Sequence, residues 1–174
     1  MSCYLCKSDK YNKRTGTVRD NPSIDILECS DCGLVYLSSL THLQDGHYEE
    51  SGMHEGKMPD IDSWLKETGV DDKRRYAFNK EKITNKTVLD FGCGIGGFLD
   101  LAKKTASSVS GIELEKALQP SFKQRDLNVF ESLSTAQEEN KKYDIITAFH
   151  VVEHLHDPIS TLSSLSQLLA EEGG

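Results

Sequence analysis

The chain has 174 residues, 37% hydrophobic and 28% charged, which is enough for one sizeable core plus an appendage. Its formal charge of -8 and the lack of any Lys/Arg tract argue against nucleic acid as a partner, since phosphate binding rests on clustered cations. The opening MSCYLCKSDK holds neither an apolar h-region nor a membrane-length run, so no membrane partner and a cytoplasmic setting are expected.

In a reducing compartment the five cysteines are expected as thiols or metal ligands rather than disulfides. Cys3 and Cys6, then Cys29 and Cys32, form two C-x2-C knuckles separated by 22 residues. Each knuckle turns tightly enough to aim two thiolates at one ion, and two knuckles complete a tetrahedral shell of four sulfurs. Gly33 adds the backbone freedom such a turn needs. Between the knuckles lie a strand, a polar loop at Arg19–Pro22 and a second strand at Ile24–Glu28, the layout of a zinc ribbon; Leu34–Leu37 reads as a continuation of that second strand. A closed four-thiolate shell leaves no open position, so the expected Zn2+ is structural. It would supply roughly 10–16 kcal/mol of folding energy that so small a segment lacks.

The stretch from Ser38 to Ile61 is polar, broken by Gly46, Gly52, Gly56 and Pro59, and reads as a loop or lid. His42, His47 and His54 read as solvated loop residues, with Tyr48 and His54 the two best placed to face a substrate. Asp71–Ile83 reads as a helix opened by its acidic pair. Thr87–Asp90 is a buried-strand pattern, followed by a glycine loop and a helix from Phe98 to Lys104. A second strand at Val109–Ile112 ends on Glu113, and Glu115–Arg125 reads as a helix despite Pro120. Strands at Asn128–Phe130 and Tyr143–Phe149 follow. Asp157 then caps a helix with Pro158 at its first position and Leu162, Leu165, Leu168 and Leu169 on its apolar face. This alternation predicts an α/β fold, a Rossmann-like parallel sheet with helices on both faces, preceded by a small zinc-ribbon β module. The expected division is a ribbon at 1–45, a loop, lid and linking helix at 46–84, and the sheet domain at 85–174.

The glycine loop, Asp90-Phe-Gly-Cys-Gly-Ile-Gly-Gly-Phe98, satisfies two fingerprints: Gly92, Gly94 and Gly97 spell a dinucleotide pattern, whereas Asp90, Gly92, Gly94 and Gly96 spell another. In both, absent side chains let the backbone approach a ligand at a helix N-terminus. Cys93 is read as a small residue bordering that approach. Glu113, 23 residues beyond Asp90, can accept two ribose hydroxyls and suits NAD and S-adenosylmethionine alike. Asp90 discriminates. Its carboxylate would repel the pyrophosphate of NAD but attract the ammonium of a sulfonium amino acid.

With these motifs the chain resembles the class I S-adenosylmethionine-dependent methyltransferases over residues 85–174. The resemblance implies a cofactor site at Asp90, Gly92, Cys93, Gly94 and Gly96, with Glu113 and Leu114 after the second strand and Ser132 and Leu133 beside the adenine. It also implies that the backbone around Phe149 and His150 lies near the methionine part. The knuckles followed by Gly33-Leu-Val-Tyr-Leu37 resemble zinc-containing methyltransferases of nucleotide-linked sugars, and the Glu153-His154 pair resembles that of sugar C-methyltransferases. Ubiquinone-pathway O-methyltransferases offer a related arrangement. The family places a fifth strand and a hairpin after a Gly-Gly such as Gly173-Gly174, so the sheet is read as lacking its last strands. With strand order 3-2-1-4 the apolar strand at Ile145–Phe149 becomes an edge, which invites a homodimer.

The implied activity is methyl transfer to a small molecule, a nucleotide-linked sugar or a quinone-like precursor. His154 is the first candidate for general base, with Glu153 orienting it. His150, Glu153 and His154 share one face if helical, which leaves two other readings open: ligands of a divalent metal, or residues that only shape the pocket. A different class also remains: a zinc-ribbon scaffold protein with a catalytically idle methyltransferase-like domain.

Overall fold

The computed structural model describes residues 2–18, 21–39 and 60–171. Two compact units are present, residues 1–44 with 155–161, and residues 45–154 with 162–174. The expected lid residues His42, His47, Tyr48 and His54 lie outside the described residues.

In the first unit, β1 (Tyr11–Arg14), β2 (Ile26–Cys29) and β3 (Val35–Leu37) form an antiparallel sheet in the order β1-β2-β3. The segment Leu34–Leu37 does not prolong β2. At Gly33, φ is 75°, a left-handed conformation that glycine adopts without steric cost, and its N–H donates to the Cys29 carbonyl at 3.0 Å. The knuckle therefore reverses the chain, and β3 returns along β2 with Leu27 opposite Tyr36. Cys3, Leu27, Cys29 and Tyr36 form the core, with Leu34 packed against it.

In the second unit, β4 (Thr87–Phe91), β5 (Ser108–Ile112), β6 (Asn128–Phe130) and β7 (Ile145–Thr147) form a parallel sheet in the order β6-β5-β4-β7. That is the 3-2-1-4 order the family resemblance implied. Successive side chains of a strand point to opposite faces. Leu89 thus joins Ala136 of α4 (Leu133–Glu138) and Leu165 of α5 (Pro158–Ser166) on one side. Val88 meets Ile83 of α1 (Ile61–Ile83) with Phe98 and Ala102 of α2 (Gly97–Ala102) on the other. On that second side α3 (Gln119–Gln124) contributes Phe122, packed with Leu99, Leu118 and Leu127.

Several elements depart from the expected boundaries; β7 is confined to Ile145–Thr147, and Leu168 and Leu169 lie beyond the end of α5. Helix α1 starts at Ile61, so Asp71 and Asp72 fall mid-helix instead of opening it. Ile61 and Trp64 pack against the cluster of Leu99, Leu118 and Phe122, and this burial carries the helix through Gly69. Pro120 does not interrupt its helix but sits at the start of α3, where its missing N–H costs nothing, after a single 3-10 turn at Lys116–Leu118. Strand β7 is an outer strand, and its approach is already partly paired: Leu169 bridges Tyr143 in parallel, with Ala170 N–H donating to the Tyr143 carbonyl at 2.9 Å.

Candidate functional site

Because β4 is flanked on both sides, its last inward-facing acid is buried: Asp90 is 2% exposed and lies on the α1/α2 side. Thr147 of β7 donates its hydroxyl to Asp90 at 2.7 Å. Burial pushes the Asp90 carboxyl up to about 7, against the pull of the Thr147 hydrogen bond and the Arg75 charge; Asp72 and Glu113 add to the rise.

The loop after β4 takes left-handed backbone at Gly92, Gly94 and Gly96, with φ of 70°, 52° and 80°. The N–H groups of Gly92 and Cys93 both donate to the Ile112 carbonyl, at 2.9 and 3.0 Å, tying the loop to the end of β5. Gly92 lies under Val151, whose side chain occupies the place of a Cβ. Gly94 is the opposite case: among the described residues, nothing lies within 4 Å of where its Cβ would stand. Beside this open position sits Glu113. One carboxylate oxygen accepts the Gly94 N–H at 2.8 Å and the other accepts the Glu115 N–H at 3.0 Å. Burial raises the Glu113 carboxyl, opposed by backbone N–H donation from Glu115, Gly94 and Leu114.

This contrast between two glycines sets a prediction. Gly92→Ala meets Val151 and a left-handed backbone and should cost about 3 kcal/mol, whereas Gly94→Ala meets only the backbone penalty of about 1 kcal/mol. Thermal melts of both variants should rank them in that order. S-Adenosylhomocysteine binding should nonetheless be lost in Gly94→Ala, because the methyl group fills the open side of the loop. Equal melts, or full binding by Gly94→Ala, would contradict it.

Cys93 does not present its thiol to the open side of the loop. Its Sγ packs against β5, where a Cβ on Gly111 would come within 2.6 Å of it, and burial drives its pKa well above the ordinary thiol value. Its thiol also lies 3.8 Å from the Gly94 carbonyl, toward which it donates. Leu114, 36% exposed, follows Glu113. Ser132 commits its hydroxyl to a capping box with Thr135 at the start of α4, and Leu133 packs against the core cluster of Leu89 and Ile112.

A cation whose charge acts on Asp90 belongs to none of the motifs. Arg75 of α1 lies 3.3 Å from Asp72, with its guanidinium carbon 5.1 Å from the centroid of the Phe149 ring. Phe149 in turn meets Phe98 edge-to-face at 5.1 Å. Helical spacing was the available signal: Asp72, Tyr76, Asn79 and Ile83 mark one face, with Arg75 at its margin and Arg74 turned outward toward Asp71.

After β7 the chain does not form the helical face expected for His150, Glu153 and His154. A single 3-10 turn spans Val152–His154, and His150 precedes it with φ 56°, left-handed for a side-chain-bearing residue. His150 Nδ1 lies 3.5 Å from Glu153 Oε1, both groups largely exposed. Among the described residues, the four cysteines are the one group of three or more His, Cys, Asp and Glu side chains converging as a metal would require. The divalent-metal reading of His150, Glu153 and His154 therefore finds no preformed shell.

That cysteine group is Cys3, Cys6, Cys29 and Cys32, with all four Sγ atoms within 4.8 Å of one another. The Cys3–Cys32 and Cys6–Cys29 sulfurs are 3.6 and 3.4 Å apart, far beyond a disulfide and close to the edge of about 3.8 Å of a tetrahedron with 2.3 Å zinc–sulfur bonds. Backbone N–H donation from the knuckle turns, from Cys6 and Cys32 respectively, lowers the Cys3 and Cys29 thiols, so the turns favour thiolate. The Tyr36 hydroxyl is buried in the same core and has no partner among the described residues. The quartet fits a structural four-sulfur metal.

Residues 61–174 match a family described as a methyltransferase domain. The chain belongs to that family. Among curated relatives, the methyltransferase domain is similar to the ubiquinone biosynthesis O-methyltransferases of Nitrosomonas europaea, 32% identical over 99 residues, and of Pasteurella multocida, 32% over 108 residues. These matches take in 52% of this chain, and 42% and 45% of those enzymes. The chain thus spans less than half the length of these relatives. In fold it is like the magnesium protoporphyrin IX methyltransferase of Synechocystis PCC 6803 with bound S-adenosylhomocysteine, at TM-score 0.50 and 18% identity, over 75% of this chain and 68% of that one. Its parallel sheet thus has the Rossmann-like fold of that methyltransferase. No helix among the described residues is long and apolar enough to cross a membrane.

Proposed function

We propose that the chain binds S-adenosylmethionine at the glycine loop and transfers its methyl group to a small-molecule acceptor. The observation that carries this reading is the pairing of the open Gly94 position with two acids, the buried Asp90 and the partly buried Glu113. When bound, the sulfonium supplies an activated methyl group and the protein adds little covalent chemistry. Asp90 holds the ammonium of the amino-acid tail, and Arg75, poised over Phe149, holds its carboxylate. Glu113 accepts the ribose hydroxyls, while Leu114, Ser132 and Leu133 border the adenine. The backbone at Phe149 and His150 borders the methionine part, and Gly92, Gly96 and the Cys93 backbone shape the loop.

His154 is the proposed general base, with Glu153 and His150 as the adjoining pair that tunes its surroundings. The Cys3, Cys6, Cys29 and Cys32 shell holds Zn2+ and organises the ribbon, proposed as a module of residues 1–45 separate from the segment 46–84 and the cofactor domain 85–174. Phenolic quinone precursors are the first acceptors to try, on the strength of the ubiquinone-pathway relatives. Nucleotide-linked sugars come next, on the strength of the ribbon.

Titration of the full chain with S-adenosylhomocysteine tests the assignment residue by residue. Glu113→Ala and Arg75→Ala should each weaken binding by roughly tenfold or more, the loss of a charge-assisted contact. Unchanged affinity in both would sink the assigned pocket. If the chain instead served as a scaffold with an idle domain, binding of a partner through the ribbon would persist whatever happens at Glu113.

A further inference from the structure

A loop that depends on three left-handed glycines is entropically loose, and a ligand that must order it loses affinity in doing so. Its first half is tied down by the Ile112 carbonyl and its middle by Glu113. The second half, Ile95–Gly96, is held by a side chain from another helix. Arg125, which closes α3, donates from its guanidinium to the Ile95 carbonyl and, at 2.5 Å, to Asp100 of α2. Lys103 grips the other Asp100 oxygen at 3.0 Å and the Arg125 carbonyl at 3.0 Å, so Asp100 is fixed from both sides. The guanidinium carbon lies 5.7 Å from the Phe122 ring centroid, and the Arg125 side chain is 18% exposed. Gly96 completes the clamp: a Cβ there would come 3.1 Å from Leu127, 3.4 Å from Phe122 and 3.5 Å from Arg125.

We propose that Arg125 is a positioning residue, presetting the Ile95–Gly96 half of the glycine loop for the cofactor through the Ile95 carbonyl and Asp100. The inference rests on the cofactor reading above. The planar fork matters because it spans a carbonyl and a carboxylate at once, which a lysine ammonium on a flexible stem cannot do in one fixed geometry.

The test combines S-adenosylhomocysteine titration with amide hydrogen exchange of Gly94–Phe98 in the free protein, for the wild-type chain and for Arg125→Ala, Arg125→Lys and Asp100→Asn. Leu168→Ala serves as a control, since Leu168 is buried in the cluster on the other side of the sheet. Arg125→Ala should weaken binding roughly tenfold and speed exchange of the loop amides, with Arg125→Lys recovering part of both. Leu168→Ala should lower the melting temperature and leave affinity unchanged. If wild type binds and Arg125→Ala binds equally well, or affinity falls in both variants merely in step with stability, the inference is overturned and the cofactor site stands. If wild type does not bind, the cofactor reading falls and takes this inference with it. Should Arg125→Ala fail to fold, the lysine and Asp100→Asn variants carry the same comparison.

Discussion

Stripping the metal from Cys3, Cys6, Cys29 and Cys32 should unfold the ribbon while the parallel sheet stays folded. The ribbon core consists of Cys3, Leu27, Cys29 and Tyr36 with Leu34 against it, and two of those residues are ligands. So few apolar side chains cannot meet the conformational entropy of the strands they hold together, and the proposed zinc shell, worth roughly 10–16 kcal/mol, would supply the difference. The sheet domain has its own three clusters around Leu89, Leu99 and Val88 and does not depend on that ion. Titrating a strong chelator into the zinc-loaded chain, with amide resonances followed by NMR, should collapse the signals of Tyr11–Leu37 and leave those of β4 and β5 in place. Cys29→Ser should reproduce the collapse without chelator. Ribbon signals that survive complete metal removal would show that the fold is held by something else.

Cofactor affinity should rise with pH through about 7, while the stability of the free protein falls over the same range. Asp90 has its carboxyl pushed up to about 7 by burial, from an ordinary value near 3.8. A folded-state value above the unfolded one means that the native state holds the proton more tightly. The contribution to stability is then complete below about pH 4 and lost as pH rises through about 7, a change of the order of a few kcal/mol. Binding of an ammonium needs the ionised carboxylate and therefore improves as that proton leaves. The charged and polar groups around it are Thr147 from β7, Asp72 and Arg75 from α1, and Glu113 at the end of β5. Asp90→Asn should remove both trends, raising the melting temperature at pH 8 and lowering affinity for S-adenosylhomocysteine roughly ten- to a hundredfold. Melts and calorimetric titrations across pH 5.5 to 8.5 check both slopes. Parallel slopes of stability and affinity, or an unaltered profile in Asp90→Asn, would contradict the placement of this carboxylate.

The parts of the fold fixed by short-range chemistry were legible from the residues. Asp90 and the glycines follow an apolar run and precede a helix pattern, and the structure shows strand, left-handed loop and helix there. The cysteine knuckles carry their geometry in their spacing, and their sulfurs converge. What sequence reasoning misplaced depends on contacts remote in the chain. The start of α1 is decided by Ile61 and Trp64 meeting Leu118 and Phe122, which no local pattern announces. The reversal into β3 is decided by one glycine conformation. Arg75 and Arg125 are ordinary helix residues until folding brings the first beside Phe149 and the second onto the Ile95 carbonyl. At His150 the helical spacing was not realised as a helix: a left-handed residue and a single 3-10 turn stand there, although His150 and Glu153 still lie side by side.

The most direct measurement is a calorimetric titration of the zinc-loaded chain at pH 8 with S-adenosylhomocysteine, with NAD titrated in parallel. Micromolar binding of the first and none of the second is the predicted result, because in the proposed site Asp90 would face an ammonium in one ligand and a pyrophosphate in the other. Binding of NAD alone, or of neither ligand by a folded chain, would contradict it.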